Sequence, residues 1–184
     1  MNSYFYSLVH TEFGETAVVG RQDRGRFPAC RIVLPNPEGK VSEGIEKEFP
    51  GAVFSPDMFG GICRQISDFL GGKEVVFETA ALDLGIVKGL ARRVLTRAAE
   101  IPRGRVMTYG GLATAIGVPG GARAVGNALA GNPFPLIFPC HRVIRGDGTL
   151  GGFGGGIKLK RALLEREGIS FDRRGRVNPL HILA

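Results

Sequence analysis

Two short helical segments that flank a glycine- and proline-rich turn constrain the fold of this chain most strongly. Residues 109–116 and 122–130 each carry apolar side chains at helical spacing, and a Gly-Val-Pro-Gly-Gly turn at 117–121 separates them. Helices tend to end at glycine, which loses more backbone entropy than any other residue when it becomes helical, and at proline, which lacks the N–H that a helix needs. Two helices joined by so short a turn are typical of a helix-turn-helix.

The second of these helices differs from one that reads DNA sequence. Residues 122–130 are mostly Ala and Gly, with Arg123 near the start, whereas major-groove readers present Arg, Asn or Gln to base edges. Small side chains let a helix backbone approach a minor groove closely, and a lone Arg can enter the space of a displaced base. Tight helix–helix packing is the alternative, and the composition of the helix by itself favours it.

Charge divides the chain into two parts. Residues 1–90 carry 9 Lys and Arg against 12 Asp and Glu, whereas residues 91–184 carry 15 against 5, within a net charge of +7. A basic half beside a mildly acidic half indicates one domain that meets a polyanion and one that does not. A solvated basic surface without a partner remains the alternative. We expect an α/β N-terminal domain at 1–80, a linker at 81–86 and a mostly helical C-terminal domain at 87–184.

Local patterns predict the elements of the two halves. The predicted elements are strands at 16–19, 30–34 and 74–77, a turn at 35–39, and helices over 58–70 and 87–99. A glycine pair at 71–72 ends the first of these helices. The second is amphipathic, with Val94 and Leu95 facing inward. No catalytic pattern occurs in residues 1–80.

Cysteine usage indicates the compartment. Cys30, Cys63 and Cys140 are too few for a disulfide framework and favour a reducing, cytoplasmic location. The sequence has no CxxC pair, so we assign no metal and no cofactor, although Cys30 and Cys63 could meet a His in space. No apolar run approaches the roughly 18–20 residues of a membrane-spanning helix. The N-terminus lacks the pattern of a secretion signal, and we expect no membrane partner.

The strongest chemical signal is a Pro-Cys-His step at 139–141, which follows an apolar run that begins at Asn132. The thiolate is the nucleophile, and at a reference pKa of about 8.5 only a few per cent of a thiol is ionised at neutral pH. A base is therefore needed, and His titrates in the right range. Because neighbouring residues on a strand face opposite sides, we expect His141 to act on Cys140 through water, with Glu167 orienting its ring. A buried Cys followed by a surface His is the alternative.

Several blocks spread over residues 87–168 occur together in a fixed order and spacing. They are Tyr109, Arg123-Ala124-Val125-Gly126, Asn132-Pro133, Pro139-Cys140-His141-Arg142-Val143, Gly155-Gly156, Lys160, Leu163-Leu164 and Glu167-Gly168. In these blocks the chain resembles the O6-alkylguanine-DNA alkyltransferase family. Residues 1–80 resemble the variable N-terminal domain of that family in length and coarse pattern. The resemblance implies an RNase H-like α/β N-terminal domain and a winged helix-turn-helix C-terminal domain.

The activity that this resemblance implies is DNA repair by direct, single-turnover alkyl transfer from O6-alkylguanine, with O4-alkylthymine as a further candidate substrate. Cys140 attacks the alkyl carbon and keeps the group as a thioether, which inactivates the protein. His141 is the water-mediated base, and Glu167 orients it. Asn132 is the hinge that joins the recognition helix to the active-site strand. Tyr109 donates a proton or a hydrogen bond to guanine N3.

The resemblance also implies how the substrate is bound. A monomer binds double-stranded DNA from the minor groove, the lesion is flipped out into a pocket, and Arg123 fills the vacated space. The implied substrate-binding residues are Val143, Phe153, Gly154, Gly155 and Pro135. The implied DNA-binding residues are Arg123, Ala122, Ala124, Gly126 and Thr108.

Three rival functions are weaker. A non-catalytic lesion sensor replaces the nucleophile, usually with Trp, whereas this chain has Cys140 and no Trp. A cysteine hydrolase normally takes its Cys and His from distant positions and has no use for a helix-turn-helix. A transcriptional regulator would need a second DNA-reading module. The tail at 169–184, with Arg-Arg-Gly-Arg at 173–176, fits added phosphate contacts and a disordered basic segment equally well.

Overall fold

The computed structural model describes residues 3–35 and 39–183. Contacts between Cα atoms divide the chain into two units, Met1–Ile86 and Val87–Ala184. The division lies at the last residue of the segment predicted as a linker. Within the described ranges, no helix is long and apolar enough to cross a membrane.

The first unit is built on a four-stranded mixed sheet in the order β3-β2-β1-β4. Its elements are β1 (Tyr4–Thr11), β2 (Gly14–Arg21), β3 (Ala29–Val33), α1 (Val41–Glu48), β4 (Val53–Phe54) and α2 (Gly60–Leu70). The strands β1 and β2 form an antiparallel hairpin whose register runs from Tyr4 opposite Arg21 to Thr11 opposite Gly14. β3 pairs with β2 antiparallel, and β4 pairs with β1 parallel. The N-terminal unit is therefore α/β, as predicted.

One face of this sheet is covered by α1. Ala17 and Val19 of β2 pack with Val41 and Ile45 of α1, and Cys30 is part of the same cluster. Burial raises the pKa of the Cys30 thiol to about 11, so this side chain stays protonated at neutral pH and serves as an apolar core residue.

Two of the three predicted strands are confirmed, as β2 and β3, and the helix predicted over 58–70 is α2. The strand predicted at 74–77 is wrong. Its backbone is held by a side chain and not by a neighbouring strand, because the Gln65 amide donates to Val76 O at 3.5 Å and accepts from the Glu78 N–H at 3.3 Å. Val76 is 90% exposed. The turn predicted at 35–39 lies mostly outside the described residues.

The second unit is mostly helical. Its elements are α3 (Gly89–Ala99), β5 (Met107–Thr108), α4 (Tyr109–Ala115), α5 (Ala122–Ala130), a 3₁₀ turn (Cys140–Arg142), β6 (Val143–Ile144), α6 (Gly156–Arg166) and a second 3₁₀ turn (Pro179–His181). The helices α3, α4 and α5 pack on one another, and β5 and β6 pair in parallel. The predicted inward residues Val94 and Leu95 are buried. α4 and α5 coincide with the two predicted helical segments around the glycine–proline turn.

Candidate active site

The segment between α5 and Cys140 is folded around the side chain of Asn132. Its Nδ2 donates to Phe138 O at 2.9 Å, and its Oδ1 accepts from the Phe134 N–H at 3.0 Å. Leu136, between these two residues, is buried and has a φ of 74°, a backbone conformation that a branched side chain seldom adopts. Asn132 thus closes a tight loop, and the loop delivers Cys140 to a fixed place.

The active-site strand predicted around Cys140 is wrong. Cys140–Arg142 is a 3₁₀ turn, in which the Arg142 N–H donates to Pro139 O at 2.9 Å. The prolines of the preceding segment have no N–H for a strand ladder, and Phe138 O is already bonded to Asn132. The strand β6 begins after the turn, at Val143.

Cys140 is buried, and its environment contains groups that favour the thiolate. Burial raises the pKa of the thiol, and this is the largest effect. It is opposed by the Asn132 Nδ2, which lies 3.3 Å from Sγ, by the charge of Lys160 and by the backbone N–H groups of Cys140 and His141. The resting group is therefore a thiol, and the site is arranged to stabilise negative charge on sulfur once the proton leaves.

His141 and Glu167 meet inside the protein. Nε2 of His141 lies 2.9 Å from Oε1 of Glu167, and both side chains are sealed from solvent. Burial raises the pKa of the Glu167 carboxyl, but its bonds to His141 and Arg142 and their positive charge outweigh burial and lower the pKa to about 2. The carboxylate can therefore only accept, and the shared hydrogen belongs to Nε2. This leaves Nδ1 as the nitrogen able to take a proton. Burial lowers the pKa of His141, which keeps the ring in its neutral, proton-accepting form near pH 7.

Arg142 holds the same carboxylate, and the sequence reasoning assigned it no role. Its Nε lies 2.8 Å from Oε2 of Glu167 and its Nη2 lies 2.9 Å from Oε1, while Nη1 donates to Ile101 O at 2.6 Å. Such a bidentate ion pair keeps a carboxylate ionised and fixes its orientation. The sequence did carry a signal for Arg142, because it directly follows the proposed base His141 in the Cys-His-Arg run.

Lys160 is a second residue without an assigned role. It is fully buried on α6, and its Nζ donates to Val143 O at 2.6 Å and to Gly152 O at 3.4 Å. Burial lowers its pKa to about 8. A cation held there joins β6 to the glycine-rich loop at 151–156 and adds positive charge beside the sulfur of Cys140.

A cavity of about 390 Å³ opens on Cys140, within the size range of small-molecule sites. The residues that line it are Tyr109, Gly126, Leu129, Ala130, Cys140, Gly152, Phe153 and Gly154. They come from α4, from α5, from the turn that carries Cys140 and from the glycine-rich loop. A planar ring can therefore reach the sulfur between apolar walls and backbone.

The predicted substrate-binding residues divide into two groups. Phe153 and Gly154 line the cavity, and the Phe153 ring lies edge-on to His141, with centroids 6.2 Å apart. Val143, Gly155 and Pro135 are buried but do not belong to its lining. The carbonyl of Val143, one of the predicted substrate-binding residues, already accepts from Lys160 Nζ at 2.6 Å.

Tyr109 stands at the cavity wall between two glycines. A Cβ at Gly151, whose φ is 69°, would lie 3.0 Å from Tyr109 Oη, and a Cβ at Gly126 would lie 3.9 Å from its ring. Burial raises the pKa of the Tyr109 phenol, and the neighbouring Cys140 adds to this. The hydroxyl is therefore protonated at neutral pH and able to donate.

The predicted DNA-binding residues lie at the start of α5 and before α4. Arg123 is exposed, Ala122 and Ala124 are half-buried, and Gly126 reaches the cavity. Thr108 caps α4, since its Oγ1 accepts from the Gly111 N–H at 2.9 Å. In the described part of the chain, no group of three or more His, Cys, Asp or Glu side chains could hold a metal ion.

The sequence is similar to one known protein family and to characterised members of it. Residues 89–169 match the family described as "6-O-methylguanine DNA methyltransferase, DNA binding domain". Over 130 residues, which are 71% of this chain, the sequence is 44% identical to the methylated-DNA–protein-cysteine methyltransferase of Methanothermobacter thermautotrophicus, and the match covers 72% of that protein.

Solved structures show the same similarity. The crystal structure of Mycobacterium tuberculosis O6-methylguanine methyltransferase matches with a TM-score of 0.72 and 32% identity, over 89% of this chain and 92% of that one. The crystal structure of the M. tuberculosis protein OGT in complex with DNA matches with a TM-score of 0.70 and 32% identity over the same shares.

Proposed function

The chain belongs to the methylated-DNA–protein-cysteine methyltransferase family, and from that premise we propose that it repairs DNA by moving an alkyl group from O6-alkylguanine to Cys140. The observation that carries the proposal is the cavity that opens on the Cys140 sulfur, with His141 and Glu167 bonded behind it. We propose O4-alkylthymine as a second substrate, because a thymine ring is smaller than guanine.

The transfer is a single displacement. The bond between Sγ of Cys140 and the alkyl carbon forms while the bond from that carbon to O6 breaks, and the electron pair of the broken bond stays on guanine. The thiol proton passes through water to Nδ1 of His141, and Glu167 stabilises the imidazolium that results. Asn132 stabilises the charge on sulfur by donation from Nδ2. The thioether is stable, so each molecule reacts once.

Negative charge develops on the leaving guanine. We propose that the Tyr109 hydroxyl donates a hydrogen bond or a proton to guanine N3 and so stabilises this charge. A donor placed before the reaction needs no reorganisation as charge builds up. The N–H of Gly154 is the proposed donor to O6, and Phe153 supplies an apolar surface for the ring. Val143, Gly155 and Pro135 were predicted to bind the substrate, but they are buried outside the cavity lining. We propose that they shape the loops around the pocket.

We propose that the helix pair α4 and α5 binds the DNA as part of a winged helix-turn-helix. The base must leave the stack to reach a buried sulfur, at a cost of a few kcal/mol. We propose that α5 lies in the minor groove, where Ala122, Ala124 and Gly126 allow close approach, and that Arg123 occupies the space that the base vacates. Thr108 supports this surface by capping α4.

The remaining proposals concern the whole chain. We propose that the first unit, with its mixed sheet, is an RNase H-like domain. Because the nucleophile, base and cavity all lie in one unit, the protein acts as a monomer. A reducing, cytoplasmic compartment suits a reaction that consumes a free thiol.

Exposure to a duplex containing O6-methylguanine tests the function. Mass spectrometry of the digest should show one methyl group, in a stoichiometry near one, on the peptide that contains Cys140. The Cys140→Ala variant should bind the same duplex and accept no methyl group, whereas Cys63→Ala, which changes a cysteine of the other unit, should react normally. Methylation of the Cys140→Ala variant would contradict the assignment.

A further inference from the structure

The C-terminal hairpin, defined here as residues 171–177, is an ordered part of the second unit that the alkyl-transfer chemistry does not use. Phe171 and Val177 pair as an antiparallel bridge, and the Asp172 N–H donates to Arg176 O at 2.8 Å. The sequence allowed two predictions for this tail, added phosphate contacts or a disordered basic segment, and the prediction of disorder is wrong. The basic residues belong to a defined turn.

Asp172 fixes the conformation of the hairpin tip. Its Oδ1 accepts from the Arg174 N–H at 2.8 Å and from the Arg176 N–H at 2.9 Å. Its carbonyl accepts from the N–H of Gly175, which has a φ of 73°. These backbone bonds lower the pKa of the Asp172 carboxyl. The carboxylate is therefore engaged by the backbone, and the arginine side chains project from a rigid turn.

The hairpin is anchored at both ends. Val177 is buried in the core cluster that contains Ile144 and Leu150, and its N–H donates to Gly148 O at 2.9 Å. On the other strand, the Arg161 guanidinium lies 4.4 Å from the centre of the Phe171 ring. The hairpin thus rests on α6 and on the turn at 145–149.

That turn connects the hairpin to the cavity. The Arg145 N–H donates to Thr149 O at 2.9 Å, and Gly151 follows two residues later. A Cβ at Gly151 would lie 3.0 Å from Tyr109 Oη and 3.5 Å from Arg145 Cγ. A Cβ at Gly148 would lie 3.4 Å from the Cβ of Arg176. Arg145 therefore lies close to Tyr109 of the cavity wall, and Arg176 of the hairpin lies against the same turn.

The surface that results is strongly basic. Its exposed cations are Arg145, Arg173, Arg174 and Arg176, and its acids are Asp147 and Asp172. The Thr149 hydroxyl and N–H bond Asp147, at 2.7 Å and 3.0 Å, and lower the pKa of its carboxyl. Both carboxylates stay ionised but are held by bonds within their own turns, and the four arginines outnumber them, so these six side chains give the surface a net charge of +2.

We propose that the C-terminal hairpin is a phosphate-binding arm that contacts the backbone of duplex DNA beside the reactive pocket. The proposal rests on the proposed function, because it assumes that DNA delivers its base to the cavity lined by Tyr109. Guanidinium groups bind phosphate through two N–H donors at once. A rigid turn loses little conformational entropy on binding. The arm adds affinity without reading sequence, as a repair protein requires.

The test compares DNA binding of two variants that lose the same charge. Arg173→Ala/Arg174→Ala changes the arm, and Lys47→Ala/Arg64→Ala removes two exposed cations from the first unit. Binding of a duplex with O6-methylguanine is measured from 50 to 300 mM salt, with Cys140→Ala in every protein so that no transfer occurs. We expect the arm variant to bind about tenfold more weakly at 0.1 M salt, with a log–log salt slope shallower by about 1–2. The control should keep the parental affinity and slope.

Further measurements separate the possible failures. With Cys140 present, the arm variant should transfer the methyl group at the parental rate when DNA is saturating, which shows that its pocket is intact. Arg173→Lys/Arg174→Lys should restore most of the affinity, because the charge is kept. Parental affinity and slope in the arm variant, or an equal loss in the control, would overturn the proposal. If the parent itself binds no lesion DNA, the proposed function fails first.

Discussion

Arg142 and Glu167 form a two-pronged ion pair directly behind the proposed base, with Nε 2.8 Å from Oε2 and Nη2 2.9 Å from Oε1. The oxygen Oε1 is shared, since it also lies 2.9 Å from Nε2 of His141. One carboxylate therefore links a permanent cation to a titratable ring. The pair keeps Glu167 ionised and aimed, so the orientation of His141 depends on Arg142 as well.

Removing the guanidinium should cost both stability and rate. In Arg142→Met the Glu167 carboxylate remains buried without its cation, and breaking a buried pair from one side costs about 3–5 kcal/mol. We expect urea unfolding to show a loss of this size, and the transfer rate to fall by at least tenfold. Arg97→Met is the matched control, because Arg97 pairs with Glu100 at the solvent-accessible end of α3 and such pairs contribute about 0–1 kcal/mol. Equal losses in the two variants would contradict this account.

The pH dependence of transfer should reflect the lowered pKa of His141. An ordinary imidazole is half protonated near pH 6.5, but burial lowers the pKa of His141, so its neutral form persists below that pH. We expect the single-turnover rate with saturating lesion DNA to stay level from pH 7.5 to 6.5 and to fall only at lower pH. A rate at pH 6.5 that is half of the rate at pH 7.5 would contradict the lowered pKa of His141.

Asn132 should affect both the loop and the sulfur. In Asn132→Ala the Nδ2 donor 3.3 Å from Sγ is lost, and with it a group that lowers the pKa of Cys140. We expect the pKa of the thiol to rise, measured by alkylation with iodoacetamide across pH, and transfer to slow by about 10²-fold, as for loss of one preorganised donor. Asn132→Asp keeps the Oδ1 acceptor for the Phe134 N–H and removes the donor. A normal rate in Asn132→Asp would contradict a role for the donor.

Gly151 should tolerate no side chain. An alanine there would adopt a φ of 69° and place its Cβ 3.0 Å from Tyr109 Oη, so we expect Gly151→Ala to lose about 1–2 kcal/mol of stability from the backbone alone. Displacement of Tyr109 should also slow transfer. Gly146→Ala is the control, since a Cβ at that position has nothing within 4 Å. Thermal unfolding and single-turnover transfer measure the two effects, and equal behaviour of the two variants would refute the close approach.

Among the described residues, local patterns predicted four of the six helices, missing α1 and α6, and two of the six strands. The segments that became α2, α3, α4 and α5 each carry apolar residues at helical spacing, and a helix satisfies its own backbone hydrogen bonds. A strand needs a partner. The segment at 74–77 has strand-like composition, but the side chain of Gln65 bonds its backbone. β1 was not predicted, although it pairs with β2 along its whole length.

The amino-acid sequence by itself determined the family and predicted Cys140 as the nucleophile with the residue types expected around it, because those depend on identity and order along the chain. Only the tertiary structure decided that Arg142 and Lys160 contact the candidate site, that Cys140 lies on a 3₁₀ turn, and that the basic tail forms a hairpin against the turn at 145–149. Glu167 is 26 residues from His141 and 25 from Arg142. Contacts over such separations arise when packing buries charged groups, which must then find partners.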